Sequence, residues 1–212
     1  MSEALRVAEM LCARLCHDLS GLLGSLIGVV EIAREEQPES ETLAVAEETA
    51  VEMGQRLKLL RAAWGMSEGA MDLIQLQTLA DNLSNSRRMR LDLGGLEPDA
   101  VFPPPAARLI LNIVLLAAES LPTGGIIALA GSPDSHVLTT IAGPRAAWPP
   151  GFATCLADEA AAWKALTADP RNLQAALTAM LSREHGFRLS MLMASGGEEG
   201  DPIPPLLLSF GH

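Results

Sequence analysis

The chain has 212 residues, of which 49% are hydrophobic, and a formal net charge of −11. This length and hydrophobic content allow one large or two small folded domains and argue against disorder. The negative charge argues against nucleic-acid binding, because nucleic-acid phosphates attract basic surfaces. It is compatible with a partner that has a basic docking face.

No apolar run reaches the ~18 residues of a membrane span. The N-terminus, "MSEALRVAEM", lacks the basic region followed by an apolar core that marks a secretory signal. The three cysteines are an odd number without framework spacing, which is typical of a reducing compartment. We therefore expect a cytoplasmic protein without membrane contact.

A long helix is predicted from residue 3 to about residue 36, and a second helix over residues 41–64. Pro38 breaks the first helix, Ser40 can cap the second, and Gly65 follows as a stop. Apolar residues recur in both helices in alternating steps of three and four, which is a heptad seam. The seam residues are Cys12, Leu15, Leu19, Leu22, Leu26, Val29 and Ala33, then Leu43, Ala46, Ala50, Met53, Leu57, Leu60 and Trp64.

Two such helices joined by a short turn are expected to form an antiparallel hairpin. Further apolar residues widen the stripe of the first helix beyond what the second helix can cover. They are Leu5, Leu11, Leu23, Ile27 and Val30. The pattern therefore predicts a homodimer in which two hairpins form a four-helix bundle with two-fold symmetry.

From about residue 70 the pattern mixes helices and strands. Helices are predicted over residues 71–87 and 103–121, and over 156–186 in two pieces broken at Pro170. Strands are predicted over residues 89–93, 126–132, 136–143, 187–195 and 204–210, the last two around an acidic glycine-rich turn.

The fold class is therefore predicted as α+β. A helical hairpin domain over residues 1–66 precedes an α/β sandwich domain over residues 70–212, with antiparallel strands and helices on one face.

His17 lies at position f of the first heptad, farthest from the seam. A lone helical histidine is most often a surface residue or a satisfied core residue, but core packing does not explain one that projects away from the seam. Arg14 lies one turn earlier and Asp18 follows directly, so a cation and a carboxylate lie within reach of the imidazole.

Small residues follow His17 on the same helix. Ser20, Gly21 and Gly24 leave little bulk on the C-terminal side of the imidazole. Each glycine costs a helix about 1 kcal/mol relative to alanine. Close approach of another molecule can offset that cost.

Nucleophilic phosphoryl transfer suits an exposed helical imidazole, because a neutral ring nitrogen can accept a phosphoryl group and later release it. The transfer needs in-line approach and charge stabilisation, and a carboxylate can set the tautomer of the ring. Arg14, with Arg56, Lys58 or Arg61 from the second helix, can offset phosphoryl charge. A solvated basic face explains each of these cations equally well.

Metal binding is not expected. Cys12 and Cys16 share one helix face while His17 points elsewhere, and Cys155 is distant in sequence. No spacing matches a zinc site. The two helical cysteines are more simply small buried residues.

The segments "ARLCHDLSGLLGSLIGVVEIARE", "RLKLLRAAWG" and "RLILNIVLLAAESLPTGG" resemble the ChpT-type histidine phosphotransferases of alphaproteobacteria. The hairpin is similar to the dimerisation and phosphoacceptor domain of two-component histidine kinases. The most specific parts are residues 15–19, Leu-Cys-His-Asp-Leu, and residues 111–125. The family usually has a proline shortly after His-Asp-Leu, and this chain has "SGLLG" instead.

Residues 111–125 also resemble the N-box of the kinase ATP-binding domain. Asn112 matches its first asparagine, but Leu116 stands where the second asparagine helps to hold magnesium, and leucine cannot ligate a hard cation. The kinase Asp-x-Gly-x-Gly motif is missing after "HVLTTI", and the turn at 196–202 is acidic. The matching positions that remain are Ala117, Pro122, Gly124 and Gly125.

The resemblance implies a kinase-like fold that has lost nucleotide binding and relays a phosphoryl group between receiver domains. His17 would be the phosphoacceptor, with Asp18 and Arg14 beside it, and the receiver would supply Mg²⁺, so no cofactor of its own is expected. The donor would be a CckA-like hybrid kinase, and the acceptors CtrA-like and CpdR-like response regulators. The partner-binding residues would be Ser20, Gly21, Gly24, Arg56, Lys58 and Arg61.

Two alternatives stay open. The chain could be a dimer that binds response regulators without turnover, with His17 merely at the interface. It could also be an ATP-dependent kinase with a divergent site, which Leu116 and the missing aspartate disfavour.

Overall fold

The computed structural model describes residues 3–35, 41–65, 69–87, 89–192 and 203–210. The predicted break at Pro38, the cap at Ser40 and the acidic turn over 196–202 lie outside these ranges. Some helical side chains also lie outside the described part, namely those of residues 3–6, 8, 9, 12, 13, 16–18, 34, 35, 41, 42, 82, 84–87 and 170.

The chain begins with two long helices, α1 (Glu3–Glu35) and α2 (Glu41–Trp64), which pack against each other as predicted. The described seam residues of α1 are half-buried. On α2, Ala46 and Leu60 are buried, but Leu43, Ala50 and Leu57 are exposed. Helix α1 therefore covers only some of the predicted seam residues of α2, because one packed helix contacts only part of another helix's surface.

Gly65 ends α2, as expected from the sequence. Its N–H donates to the carbonyl oxygen of Arg61 at 2.9 Å. A Cβ at this position would lie 2.5 Å from that same oxygen, so the turn out of the helix requires glycine.

The rest of the chain alternates helices and strands. In order they are β1 (Met71–Asp72), α3 (Leu73–Arg87), β2 (Met89–Leu96), β3 (Val101–Phe102), α4 (Pro104–Glu119), β4 (Gly125–Ser132), β5 (His136–Ala142), α5 (Phe152–Ala157), α6 (Glu159–Ala168), a 3₁₀ turn (Pro170–Asn172), α7 (Leu173–Glu184), β6 (Arg188–Met191) and β7 (Leu206–Ser209). The structure contains the predicted helices and strands. It also contains β1, β3 and most of α5, which the sequence did not predict. Helix α3 begins two residues later than predicted, because β1 pairs with β3.

Five strands form one sheet in the order β2-β4-β5-β7-β6. The expectation of antiparallel strands is wrong for one pair, since β2 and β4 are parallel. The connection between them passes through α4, and a crossover helix of this kind joins parallel strands. The remaining pairs are antiparallel.

The sheet has one buried face. In β5, Val137, Thr139 and Ile141 are buried while their neighbours are partly or fully exposed. This alternation is typical of a sheet with helices on one side. The predicted α+β class is confirmed.

Helix α4 lies at the centre of the core. Its residues from Ala106 to Ala118 are buried except Arg108. Leu59, Leu60 and Ala63, near the end of α2, belong to the same buried cluster. The end of the hairpin and the sheet therefore share one continuous core.

Within the described ranges, none of the helices has the length and apolar composition needed to cross a bilayer.

Candidate functional site

Position 17 lies in the first half of α1. The side chains of His17 and Asp18 lie outside the described residues, and their neighbours on α1 define the surface around position 17. At about 100° per residue, Ser20, Gly21 and Gly24 lie within about 60° of position 17 around the helix axis. All three are exposed, whereas the described seam residues of α1 are half-buried. This face of α1 is therefore not covered by α2.

Gly21 and Gly24 make no packing contact with the described residues that an alanine would disturb. A Cβ built at Gly21 or at Gly24 meets no atom within 4 Å. Alanine would fit at either position and would favour the helix by about 1 kcal/mol. The face is consequently open to close approach from outside.

Arg14 connects α1 to α4. Its guanidinium donates to the carboxylate of Glu119 across 105 residues of sequence, and the two side chains are only 14% and 22% exposed. The predicted cation beside His17 therefore already faces a carboxylate. The contact brings the last turn of α4 next to the turn of α1 that precedes position 17.

The three cations predicted on α2 lie in different surroundings. Arg56 is half-buried, whereas Lys58 and Arg61 are exposed. Lys58 and Arg61 line a cleft of about 570 Å³ together with Arg108 of α4. Arg61 also borders an apolar groove of about 410 Å³ formed by α1 and the end of α2. The residues of that groove are Leu11, Leu15, Leu57, Leu60, Arg61, Trp64 and Gly65.

Arg108 was not predicted, although one arginine inside an otherwise apolar helix was a visible signal. Its Nε donates to the carbonyl oxygen of Ala63 at 3.3 Å, and its Nη2 to that of Trp64 at 3.2 Å. Both carbonyls belong to the last turn of α2, where helical acceptors lack partners within the helix. Burial lowers the pKa of Arg108, because the charged form loses solvation.

Asn112 and Leu116, the residues matched to the kinase N-box, are both fully buried. The Asn112 amide nitrogen donates to the Ala63 carbonyl at 2.7 Å and to the Arg108 carbonyl at 2.9 Å. Its Oδ1 accepts from Nε2 of Gln174 in α7 at 2.9 Å. Gln174 in turn accepts from the Trp64 indole at 3.3 Å. A buried polar network thus joins α2, α4 and α7.

Among the described residues, no group of three or more histidines, cysteines, aspartates and glutamates could hold a metal ion. Cys155 is buried and unpaired, and desolvation raises the pKa of its thiol. The side chains of Cys12 and Cys16 lie outside the described part of α1.

Residues 73–196 match the family described as the histidine phosphotransferase C-terminal domain. Protein phosphotransferase ChpT of Brucella abortus (strain 2308) is 26% identical over 195 residues, which cover 89% of this chain and 91% of that protein. A solved structure of a bacterial phosphotransferase aligns with a TM-score of 0.73 and 22% identity, over 99% of this chain and 97% of that one.

A histidine kinase domain from Erythrobacter litoralis EL346 blue-light activated histidine kinase aligns with a TM-score of 0.44 and 10% identity, over 98% of this chain and 91% of that one. The resemblance drawn from the sequence is confirmed by the family match and the relative. The chain belongs to the ChpT-type histidine phosphotransferases, and residues 73–196 are its histidine phosphotransferase C-terminal domain.

Proposed function

We propose that the chain is a cytoplasmic phosphorelay intermediate in which His17 accepts a phosphoryl group from one receiver domain and passes it to another. The relative from Brucella abortus, named a protein phosphotransferase, supports this reading. The observation that carries it is the open face of α1 around position 17. Ser20, Gly21 and Gly24 are exposed there, and no packing against the part of the chain that the structure describes explains the glycines.

The proposed step is an in-line displacement at phosphorus. A neutral nitrogen of the His17 imidazole attacks the aspartyl phosphate of the receiver, the N–P bond forms, and the P–O bond to the aspartate breaks. The aspartate leaves as a carboxylate, and the ring keeps the proton on its other nitrogen, where Asp18 stabilises it. Transfer to the second receiver is the reverse of this step. Mg²⁺ would be held by the receiver, so the chain needs no cofactor.

The docking surface would extend beyond the hairpin. In our proposal residues 1–66 carry the phosphoacceptor and residues 70–212 widen the surface that meets the receiver. The ion pair between Arg14 and Glu119 supports this, because a receiver seated over position 17 would also lie near the end of α4. Arg14, Arg56, Lys58 and Arg61 would offset phosphoryl charge. The donor would be a CckA-like hybrid kinase, and the acceptors CtrA-like and CpdR-like response regulators.

The proposal includes a homodimer built as a four-helix bundle. Apolar residues on both helices of the hairpin remain about half exposed in one chain. They are Leu23 at 47%, Ile27 at 50%, Val30 at 42%, Leu43 at 46% and Leu57 at 47%. An apolar surface of this kind is typical of a protein interface, and a second hairpin would cover it.

We further propose that the chain does not use ATP. Leu116 is fully buried and has no oxygen for Mg²⁺, and the Asn112 amide is bonded to main-chain carbonyls and to Gln174. These positions cannot reach a nucleotide without breaking the core.

A phosphotransfer assay tests the function. The purified chain is incubated with a phosphorylated CckA-type receiver domain, and separately with ATP and Mg²⁺ alone. We expect acid-labile, base-stable label at residue 17 from the receiver and none from ATP. His17→Gln should abolish the label, while His136→Gln, at an exposed histidine in β5, should keep it.

Three other results would change the proposal. Label from ATP alone would make the chain a kinase. Label retained in His17→Gln would assign the phosphoacceptor elsewhere. Receiver binding without label, equal in the parent chain and in His17→Gln, would favour the dimer that binds response regulators without turnover.

A further inference from the structure

We propose that the cleft between α2, α3 and α4 binds a small organic anion with an apolar body. This binding function shares Lys58 and Arg61 with the proposed relay surface, but it needs no phosphoryl transfer and is tested without it. The cleft has a volume of about 570 Å³. Small-molecule sites in proteins span roughly 300–1,000 Å³, so the cleft has the size of a metabolite site.

The walls of the cleft divide into an apolar part and a cationic part. The apolar part consists of Ala62, Met71, Ile74 and Leu79. Ile74 is 78% exposed, the largest exposed fraction among the large hydrophobic residues that the structure describes. An apolar group in the cleft would cover Ile74 and remove that surface from water.

The cationic part consists of Lys58, Arg61 and Arg108. Among the described residues that line the cleft there is no aspartate or glutamate, although the net charge of the chain is −11. Lys58 and Arg61 have no ion pair with any described carboxylate. Three like charges gathered in one cleft attract anions.

Arg108 makes the strongest case for an anion. Its guanidinium is half-buried and donates to two main-chain carbonyls at the C-terminal end of α2, which carry only a partial negative charge. The lowered pKa of Arg108 has the same origin, because burial disfavours the charged form. A carboxylate or phosphate group in the cleft would offset this cost.

Gln75 adds a positioned hydrogen-bonding group. Its Oε1 accepts from the Asp72 N–H at 3.0 Å, and its own N–H donates to Oδ1 of Asp72 at 2.8 Å, so the pair forms a capping box at the start of α3. With its oxygen occupied, the Gln75 side chain has its NH₂ group left to donate. That group suits an anionic acceptor.

The test is an NMR titration of the ¹⁵N-labelled full chain without any receiver or phosphoryl donor. The probes are phenyl phosphate and 4-phenylbutyrate, which distinguish phosphate from carboxylate, with inorganic phosphate and 4-phenylbutan-1-ol as controls. We expect at least one aromatic anion to shift the amides of Gly69 and of residues 74–79, and to bind more tightly than either control.

Matched variants separate this site from general charge effects. Lys58→Gln/Arg61→Gln should weaken binding of the aromatic anion by about fivefold or more. Lys164→Gln/Arg188→Gln changes the net charge equally at exposed positions elsewhere and should leave the affinity unchanged.

Equal affinity in the two double variants would overturn the proposal, as would an affinity of both aromatic anions no higher than that of inorganic phosphate or 4-phenylbutan-1-ol. Absence of shifts in the cleft amides with both aromatic anions, but clear shifts with an added receiver domain, would overturn it in favour of a protein contact. Because the titration of the aromatic anions contains no phosphorylated receiver, a failed relay would not affect its result.

Discussion

The side-chain amide of Asn112 in α4 donates at 2.7 Å to the carbonyl oxygen of Ala63, one residue before the end of α2. Both residues are fully buried. The sequence of this segment matches Asn112 to the first asparagine of the kinase N-box. In this chain it joins the hairpin to the central helix, and a change in the angle between them would break a buried hydrogen bond.

Asn112→Ala should therefore destabilise the fold. The substitution removes the Ala63 contact and the Oδ1 acceptor of Gln174, and buried polar groups that lose a partner cost about 1–3 kcal/mol. Urea denaturation measures the free energy of unfolding. Asn172→Ala, at an exposed helix start where the asparagine makes no capping bond, should change it by less than about 0.5 kcal/mol. Equal effects would show that the network contributes little.

Alanine at Gly21 or Gly24 should raise stability and lower phosphotransfer. No described atom lies within 4 Å of either added Cβ, so each change should favour helix α1 by up to about 1 kcal/mol. A receiver that approaches this face closely would meet the new methyl group. Thermal melting and transfer rates from a phosphorylated receiver measure the two effects. Gly54→Ala, in α2 with equal space, should stabilise without slowing transfer.

Faster or unchanged transfer in both the Gly21→Ala and Gly24→Ala variants would contradict close approach at this face. The glycines would then require another explanation.

Ile27→Asp should weaken the proposed dimer. Ile27 is 50% exposed and belongs to the apolar stripe with Leu23 and Val30. Ile32, also in α1, is 53% exposed but lies about 140° away around the helix axis. Analytical ultracentrifugation should give a larger dissociation constant for Ile27→Asp, with Ile32→Asp close to the parent chain. The reverse order would assign the interface to another side of α1.

The ion pair of Arg14 and Glu119 should show energetic coupling. A double-mutant cycle with Arg14→Met and Glu119→Gln should give a coupling free energy of about 0.5–1 kcal/mol. The two side chains are only 14% and 22% exposed, so solvent screens the pair weakly. The control cycle, Arg90→Met with Asp92→Asn, uses a pair that is 70% and 38% exposed, and its coupling should be smaller. Coupling no larger than in the control would mean that Glu119 does not hold Arg14.

Asp169 should titrate below its ordinary range. Hydrogen bonds from the Arg171 side chain, and then from its main-chain N–H, lower the pKa of this carboxyl. The ionised form thus stabilises the fold above the ordinary pKa of aspartate, and that contribution is lost as the pH falls through the lowered value. NMR titration should show the pKa of Asp169 moving up in Arg171→Gln. An unchanged titration would contradict this cause.

The local pattern of the sequence predicted a large part of the fold. The heptad spacing predicted the extents of α1 and α2, and Gly65 predicted the C-terminal end of α2. These features depend on neighbours a few residues away, which is why they can be read from the chain. His17 was identified in the same way, from its heptad position and the small residues after it, and its role as phosphoacceptor stays a prediction.

Other features depend on contacts between distant segments. Arg14 meets Glu119 across 105 residues, and the cleft takes Lys58 and Arg61 from α2 and Arg108 from α4. The parallel pairing of β2 with β4 depends on the crossover through α4. Periodicity determines which face of an element is apolar, but not which element covers it. The sequence therefore determined the helices, the candidate phosphoacceptor and the family, whereas tertiary packing decided the partners of Arg14 and Asn112 and the existence of the cationic cleft.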